Sequence, residues 1–197
     1  MYLRRKVDSY LDEWRVDPDH KPLIIKGARQ VGKTESVKRF AEANYDNVIY
    51  INFALDKKFC VITEDGYTVE AVNKAISRIN PAINFIEGKT LIFFDEIQDH
   101  PDIATTLKAY CIDGRYDVIC SGSLLGIYYK RIESNSVGYK TDYTMRSMDF
   151  EEFIWAKGYD DELKEDLLER MLKGTPLSAS IIQVLSEAFL DYVIVGG

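Results

Sequence analysis

Cysteine and histidine are scarce in this chain, three and two among 197 residues. Cys60, Cys111 and Cys120 have none of the paired spacing of a metal site, and their number fits reduced, buried thiols. Long apolar runs are also missing, and none reaches membrane-spanning length. The opening Met1-Tyr2-Leu3-Arg4-Arg5-Lys6 leads into an amphipathic segment without the apolar core of a secretory leader. These absences predict a cytoplasmic protein with no membrane partner. An excess of positive charge is missing too. Lys+Arg number 25 against 32 Asp+Glu, leaving a net charge of −7 and a pI of about 5.0. Coating duplex nucleic acid by bulk charge is thereby disfavoured. Internal repeats and low-complexity tracts are absent. His20 and His100 lie in turn-like surroundings and are expected at the surface. The length and a hydrophobic content of 46% predict one α/β domain with a substantial core and a small appendage.

The chain does contain a complete phosphate-loop pattern, Gly27-Ala28-Arg29-Gln30-Val31-Gly32-Lys33-Thr34. Residue frequencies alone would produce GxxxxGKT in roughly one chain in a hundred of this length. The context makes coincidence far rarer. The apolar Leu23-Ile24-Ile25 precedes the loop and a helical pattern follows it. A second apolar run, Leu91-Ile92-Phe93-Phe94, ends in the adjacent carboxylates Asp95-Glu96. Glycines at positions 27 and 32 let backbone N–H groups turn around phosphates at the positive end of the following helix. Lys33 is expected at the β and γ phosphates and Thr34 at magnesium. Arg29 and Gln30 occupy variable positions of the loop and are expected either to face solvent or to pack. Asp95, ending a strand beside the loop, is expected to hold Mg2+, usually through water. Glu96 is expected to orient and polarise the attacking water.

The remaining pattern alternates strands with helices. An opening helix carries Leu3, Val7, Tyr10, Leu11 and Trp14 on one face. Strands are predicted at 23–26, 48–53, 90–95, 117–121 and 143–148. Helical periodicity recurs at Val37, Phe40 and Ala41, and again at Val69, Val72, Ile76 and Ile79. Pro101 suits the first turn of a short helix. This alternation implies a parallel sheet covered on both faces. Parallel strands of this kind end at the ligand crevice, so the hydroxyls of Ser121 and Ser123 are candidates to sense the γ-phosphate, with no choice between them. Lys130, Arg131, Lys140 and Arg146 are candidate cations for a transition state. The Tyr128-Tyr129-Lys130-Arg131 cluster reads as packing before base stacking. From Asp149 the pattern turns helical through Phe150, Phe153, Ile154, Leu163, Leu167, Leu168, Met171, Ile181, Ile182, Leu185 and Phe189. The boundaries expected are an N-terminal helix at 1–20, a P-loop core at 21–148 and a helical segment at 149–197. The closing Val193-Ile194-Val195-Gly196-Gly197 reads as the start of a further, truncated domain.

In the segments MYLRRKVDSYLDEW, PLIIKGARQVGKTES, TLIFFDEIQDHPDIATTLK, VICSGSLLG, MDFEEFIWAKG and YVIVGG the chain resembles a family of prokaryotic AAA-type ATPases. These join a P-loop domain to a C-terminal domain of unknown function. The resemblance covers essentially the whole chain, and GARQVGKT and DEIQ are its most specific parts. It implies an additional-strand catalytic-glutamate fold with strand order 5-1-4-3-2. It also implies Lys33 and Thr34 at phosphate and magnesium, Asp95 at magnesium, Glu96 as the catalytic carboxylate and Ser121 to Ser123 as sensor one. Where members carry a Gly-Arg pair before the last strand, this chain has Gly138-Tyr139. A winged-helix-like portion past Gly197, with a protein or nucleic-acid partner, is a further implication. The function expected is a Mg-dependent ATP-hydrolysing switch or motor domain, with a homo-oligomer among its arrangements. A non-hydrolysing nucleotide-binding module and a small-molecule kinase are the alternatives.

Overall fold

The computed structural model describes residues 2–123 and 136–196. Tyr128, Tyr129, Lys130 and Arg131 lie outside the described residues. Two compact units divide the chain, Tyr10–Met145 and a smaller one formed by Met1–Ser9 with Arg146–Gly197. The elements run α1 (Lys6–Val16), β1 (Leu23–Lys26), α2 (Lys33–Asn44), β2 (Asn47–Asn52), α3 (Val69–Ile79), β3 (Thr90–Asp95), α4 (Ile103–Asp113), β4 (Asp117–Gly122) and β5 (Thr141–Thr144). The helices α5 (Phe150–Ala156), α6 (Asp161–Lys173) and α7 (Ala179–Val195) follow. Short 3₁₀ turns at Lys57–Val61 and Ile97–Asp99 complete the described elements.

In the larger unit the five strands form one parallel sheet in the order β2-β3-β4-β1-β5. This is the predicted order read from the other edge, with β4 between the strand of the phosphate loop and the strand of the paired carboxylates. Parallel strands buried on both faces read as continuous apolar runs. All six residues of β3 are buried, as are Leu23, Ile24 and Ile25 of β1. Successive side chains of a strand point to opposite faces. Ile24, Ile49, Ile51, Ile92, Phe94 and Val118 share one core cluster with Val72 and Ile76 of α3 and Leu107 and Tyr110 of α4. On the alternate positions Ile25, Leu91, Phe93 and Ile119 are buried too, and α2 packs along β3 and β4.

Helix boundaries follow local chemistry. Thr68 caps α3 by accepting from Ala71 N at 3.2 Å. Gly114 ends α4 in the left-handed region at φ 68°. Pro101 sits in the turn before α4, its carbonyl accepting from Ala104 N at 3.1 Å. The fifth strand lies at Thr141–Thr144, earlier than the sequence predicts, because its alternating half-exposed pattern leaves no apolar run to mark it.

In the smaller unit, Asp149 and Glu152 form a reciprocal capping box at the start of α5. Arg5 lies in the same unit. Its Nε is 3.1 Å from the Glu152 carboxylate and its Nη2 donates to the Arg146 carbonyl at 2.8 Å. Phe150, Phe153, Phe189 and Tyr192 form an aromatic cluster linking α5 to α7.

Candidate functional site

The register of the sheet brings the two motifs together. Phe94 pairs with Cys120 and Ile25 pairs with Ser121, so Asp95, Ser121 and the loop after Lys26 lie at one edge. The loop itself is shaped by close approach. A Cβ on Gly27 would lie 2.0 Å from the Met145 carbonyl oxygen, so only glycine lets the loop leave β1 beside the end of β5. Gly32, at φ 97°, caps α2 in the left-handed region. Gln30 also has a positive φ, 63°. Arg29 and Gln30 are exposed, Ala28 is exposed and Val31 half-buried.

Lys33 is buried at the first position of α2. Its ammonium donates to the loop's own carbonyls, Gly27 O at 3.1 Å and Ala28 O at 2.6 Å. Burial lowers its pKa below the ordinary lysine value, opposed by the negative charges of Glu96 and Asp95. Thr34 is next, and its hydroxyl donates to Asp95 Oδ2 at 2.9 Å across 61 residues of sequence.

Asp95 is 1% exposed. Its Oδ2 accepts from Thr34, from Tyr50 at 3.0 Å and from Asn52 at 3.0 Å, while Oδ1 accepts from Ser121 Oγ and from Glu96 N at 3.0 Å. A buried carboxylate has acceptor positions that must be filled, and these donors fill them on both oxygens. Burial pushes the Tyr50 phenol up to about 12, with the Asp95 charge adding to it and the Asn52 hydrogen bond opposing it. Tyr50 therefore keeps its proton and donates. The Lys38 ammonium sits 3.9 Å from the centre of its ring.

Sequence reasoning missed Tyr50 and Asn52. The signal was the β2–β3 register, which sets Asn52 directly opposite Asp95. Asn52 also receives Ala54 N and Leu55 N on its oxygen, both at 3.0 Å, so it ties the turn after β2 to Asp95.

Glu96 is half-buried and has φ 54°, a conformation that costs a non-glycine residue about 1–2 kcal/mol. Its Oε2 accepts from Gln98 Nε2. Ser121 and Ser123, left undivided by the sequence, separate here. Ser121 is buried on Asp95, whereas Ser123 donates its backbone N–H to Gln98 Oε1 at 3.1 Å and its buried hydroxyl oxygen has no partner among the described residues.

Among the described residues no group of three or more His, Cys, Asp or Glu could hold a metal. The donor set at the loop is instead one hydroxyl beside one carboxylate. These hard oxygen ligands fit a largely hydrated magnesium ion.

Other expectations resolve differently. His100 is buried, not at the surface. Its Nε2 meets Thr63 Oγ1 at 3.1 Å and its ring lies 4.9 Å from Phe53, so the 3₁₀ turn carries it inward. Burial lowers its pKa, opposed by Asp102. All three cysteines are free, but only Cys120 is fully buried; Cys60 and Cys111 are half-buried. Lys140 is engaged by Asp142 at 2.7 Å, and Arg146 lies just past β5 with its carbonyl accepting from Arg5. No helix of the described residues is long and apolar enough to cross a membrane.

Comparison with known proteins gives one family match. The family described as AAA domain matches residues 19–154. No curated protein matches the sequence. Among solved structures, the Pif1 helicase from Candida albicans is similar at 14% identity and a TM-score of 0.49, over 86% of this chain and 44% of that one. The Drosophila ORC bound to DNA is similar at 16% identity and a TM-score of 0.48, over 83% and 48%. The Aeropyrum pernix ORC2 protein in its ADP form is similar at 15% identity and a TM-score of 0.46, over 83% and 53%. The chain spans about half the length of these structures.

Proposed function

This chain belongs to the AAA domain family, and from that premise we propose that it binds ATP with magnesium and hydrolyses it to ADP and phosphate. The observation that carries the reading is the Thr34–Asp95 hydrogen bond at 2.9 Å, which joins the phosphate-loop motif to the paired carboxylates. The Lys33 ammonium, now on two loop carbonyls, exchanges these for phosphate oxygens. Its depressed pKa makes a polyanion a favourable partner, since a nearby negative charge restores the ammonium. The backbone N–H groups of Gly27 to Thr34 and the N-terminus of α2 add positive potential at the same place. Magnesium, held by Thr34 and through water by Asp95, would neutralise charge developing on the phosphates. Glu96 takes a proton from water as its oxygen bonds to the terminal phosphorus and the bond to the ADP oxygen breaks.

The division of labour between the carboxylates rests on their surroundings. Asp95 has both oxygens filled by donors, which suits a fixed charge. Glu96 has one oxygen held by Gln98, which suits a base that must accept a proton on the other. A non-hydrolysing nucleotide-binding module remains the second reading, because the full set of donors on Asp95 also suits a structural carboxylate.

The test is phosphate release together with thermal shift. Mg-ATP at a hundredfold over its dissociation constant is expected to stabilise the chain by about 2.7 kcal/mol, and Lys33→Ala is expected to abolish most of this. Glu96→Gln is expected to keep the shift and to lose hydrolysis by about a hundredfold or more. Hydrolysis at the parent rate by Glu96→Gln would overturn its assignment as base. A melting curve indifferent to nucleotide would overturn the whole reading.

A further inference from the structure

Gln98 lies two residues past Glu96, on the 3₁₀ turn Ile97–Asp99. Its side-chain amide has two ends with opposite requirements. At one end the Ser123 backbone N–H, which can only donate, lies 3.1 Å from Oε1. At the other end Nε2 faces Glu96 Oε2 and also Asp99 Oδ2 at 3.2 Å, groups that accept when ionised. The polarity of the amide is therefore fixed by its neighbours, and both ends are satisfied. The left-handed backbone at Glu96 turns the chain so that Gln98 can reach back to the Glu96 carboxylate.

The two adjacent carboxylates are thus tied to one short segment following the core of β4. Asp95 is tied through the Ser121 hydroxyl, and Glu96 through Gln98 to the Ser123 backbone. A displacement of this segment would move the fixed charge and the proton acceptor together.

Resting on the hydrolytic reading above, we infer that Gln98 is a positioning residue that holds one oxygen of Glu96 and couples the Glu96 carboxylate to the Ser121–Ser123 segment. It presents the other oxygen of Glu96 to water in a fixed orientation, and it makes that orientation depend on where the end of β4 stands. Because the hydrogen bonds of Gln98 described here go to Glu96, Asp99 and Ser123, its effect falls on turnover and not on nucleotide affinity.

Steady-state ATP hydrolysis of the full chain tests this with Gln98→Ala, Gln98→Glu and Glu96→Gln, each checked for the parent's melting temperature with Mg-ATP. Gln98→Ala is expected to lower kcat about ten- to a hundredfold, the usual range for a misplaced catalytic group, with KM within about twofold. Gln98→Glu keeps the shape and the acceptor for Ser123 but turns the donating end into an acceptor facing two carboxylates. It is expected to lose at least as much kcat as the alanine variant, again with KM held. A role in packing alone would spare the isosteric Gln98→Glu. The inference alone is overturned if Glu96→Gln is inactive while both Gln98 variants keep the parent kcat, or if their loss appears in KM. If Glu96→Gln turns over at the parent rate, the reading of Glu96 as base falls and this inference falls with it.

Discussion

The two compact units bury their apolar residues very differently, although their helices look alike in sequence. Helix α3 of the larger unit repeats Val69, Val72 and Ile76 at helical spacing, and all three are buried. Helix α6 of the smaller unit repeats Leu163, Leu167, Leu168 and Met171 at similar spacing and has no buried residue. Helix α7 has only Ala188 buried. Leu172 and Ile194 are 88% and 81% exposed, while Phe94 and Ile76 are fully buried. Periodicity therefore forecasts the helix but not what covers it. The larger unit gains its stability from a sheet enclosed on both faces. The smaller depends on an aromatic cluster, a capping box and a few ion pairs.

Truncating the core sharpens this contrast most. Phe94→Ala is expected to cost about 3–5 kcal/mol, since it empties space inside a packed sheet. Leu172→Ala and Ile194→Ala are expected to stay within about 0.5 kcal/mol. Denaturant unfolding of the three variants measures both sides. A loss at Leu172 matching that at Phe94 would break the comparison and show that the exposed face is covered in solution.

The next largest effect is expected at a buried ion pair of the smaller unit. The Arg5 and Glu152 side chains are only 10% and 6% exposed, and Glu152 also accepts from Lys6 N at 2.7 Å and Asp149 N at 3.0 Å. Glu152→Ala takes a buried carboxylate away from the Arg5 guanidinium and is expected to cost about 3 kcal/mol. Its neighbour in kind, the exposed Lys173–Glu169 pair one helical turn apart, is expected to contribute under about 0.5 kcal/mol when Lys173 is truncated. Hydrogen exchange separates the cases. In Glu152→Ala, protection should fall in α5 and persist in β3. Loss of protection across β3 would mean that the pair stabilises the whole molecule.

The same contrast governs what the sequence discloses. Strands β1 and β3 are legible to the residue because burial on both faces makes their apolar runs continuous. The motifs are legible because the phosphate loop needs glycine and lysine at set positions. The edge strand β5 has a half-exposed pattern, and the sequence misplaces it. His100 looks like a surface residue in a polar turn, yet the turn folds inward against Phe53. The partners of the paired carboxylates are harder still. Tyr50 and Asn52 reach Asp95 only once the β2–β3 register is known, and Gln98 reaches Ser123 only once β4 is placed beside β3. Contacts set by register across the sheet leave no spacing signal along the chain. Contacts set within one loop do.

A further small effect concerns a place where the larger unit departs from its dependence on apolar burial. His20 lies between α1 and β1, with Nδ1 2.7 Å from the Asp17 carbonyl oxygen and Nε2 2.8 Å from Asp117 Oδ1. Both partners accept, so only the imidazolium, with a proton on each nitrogen, satisfies both. Burial next to Trp14 works against the charge, but the Asp117 and Asp17 hydrogen bonds and charges outweigh it and raise the pKa above 6.5. A raised folded-state pKa contributes stability that is fully present below the unfolded value and is lost as pH rises through the folded value. The window thus opens near pH 6.5 and extends upward from it. Because the side chain is partly exposed, the contribution is expected to stay below about 1 kcal/mol. His20→Gln can donate only from its amide nitrogen, and Asp117 keeps the Tyr45 hydroxyl at 2.6 Å. Unfolding free energies measured between about pH 5.5 and about pH 8.5 should therefore decline more steeply for the parent than for His20→Gln, with the two converging at the alkaline end. Parallel pH profiles would show that His20 binds its proton equally in the folded and unfolded chain and that this corner, like the rest of the larger unit, depends on packing.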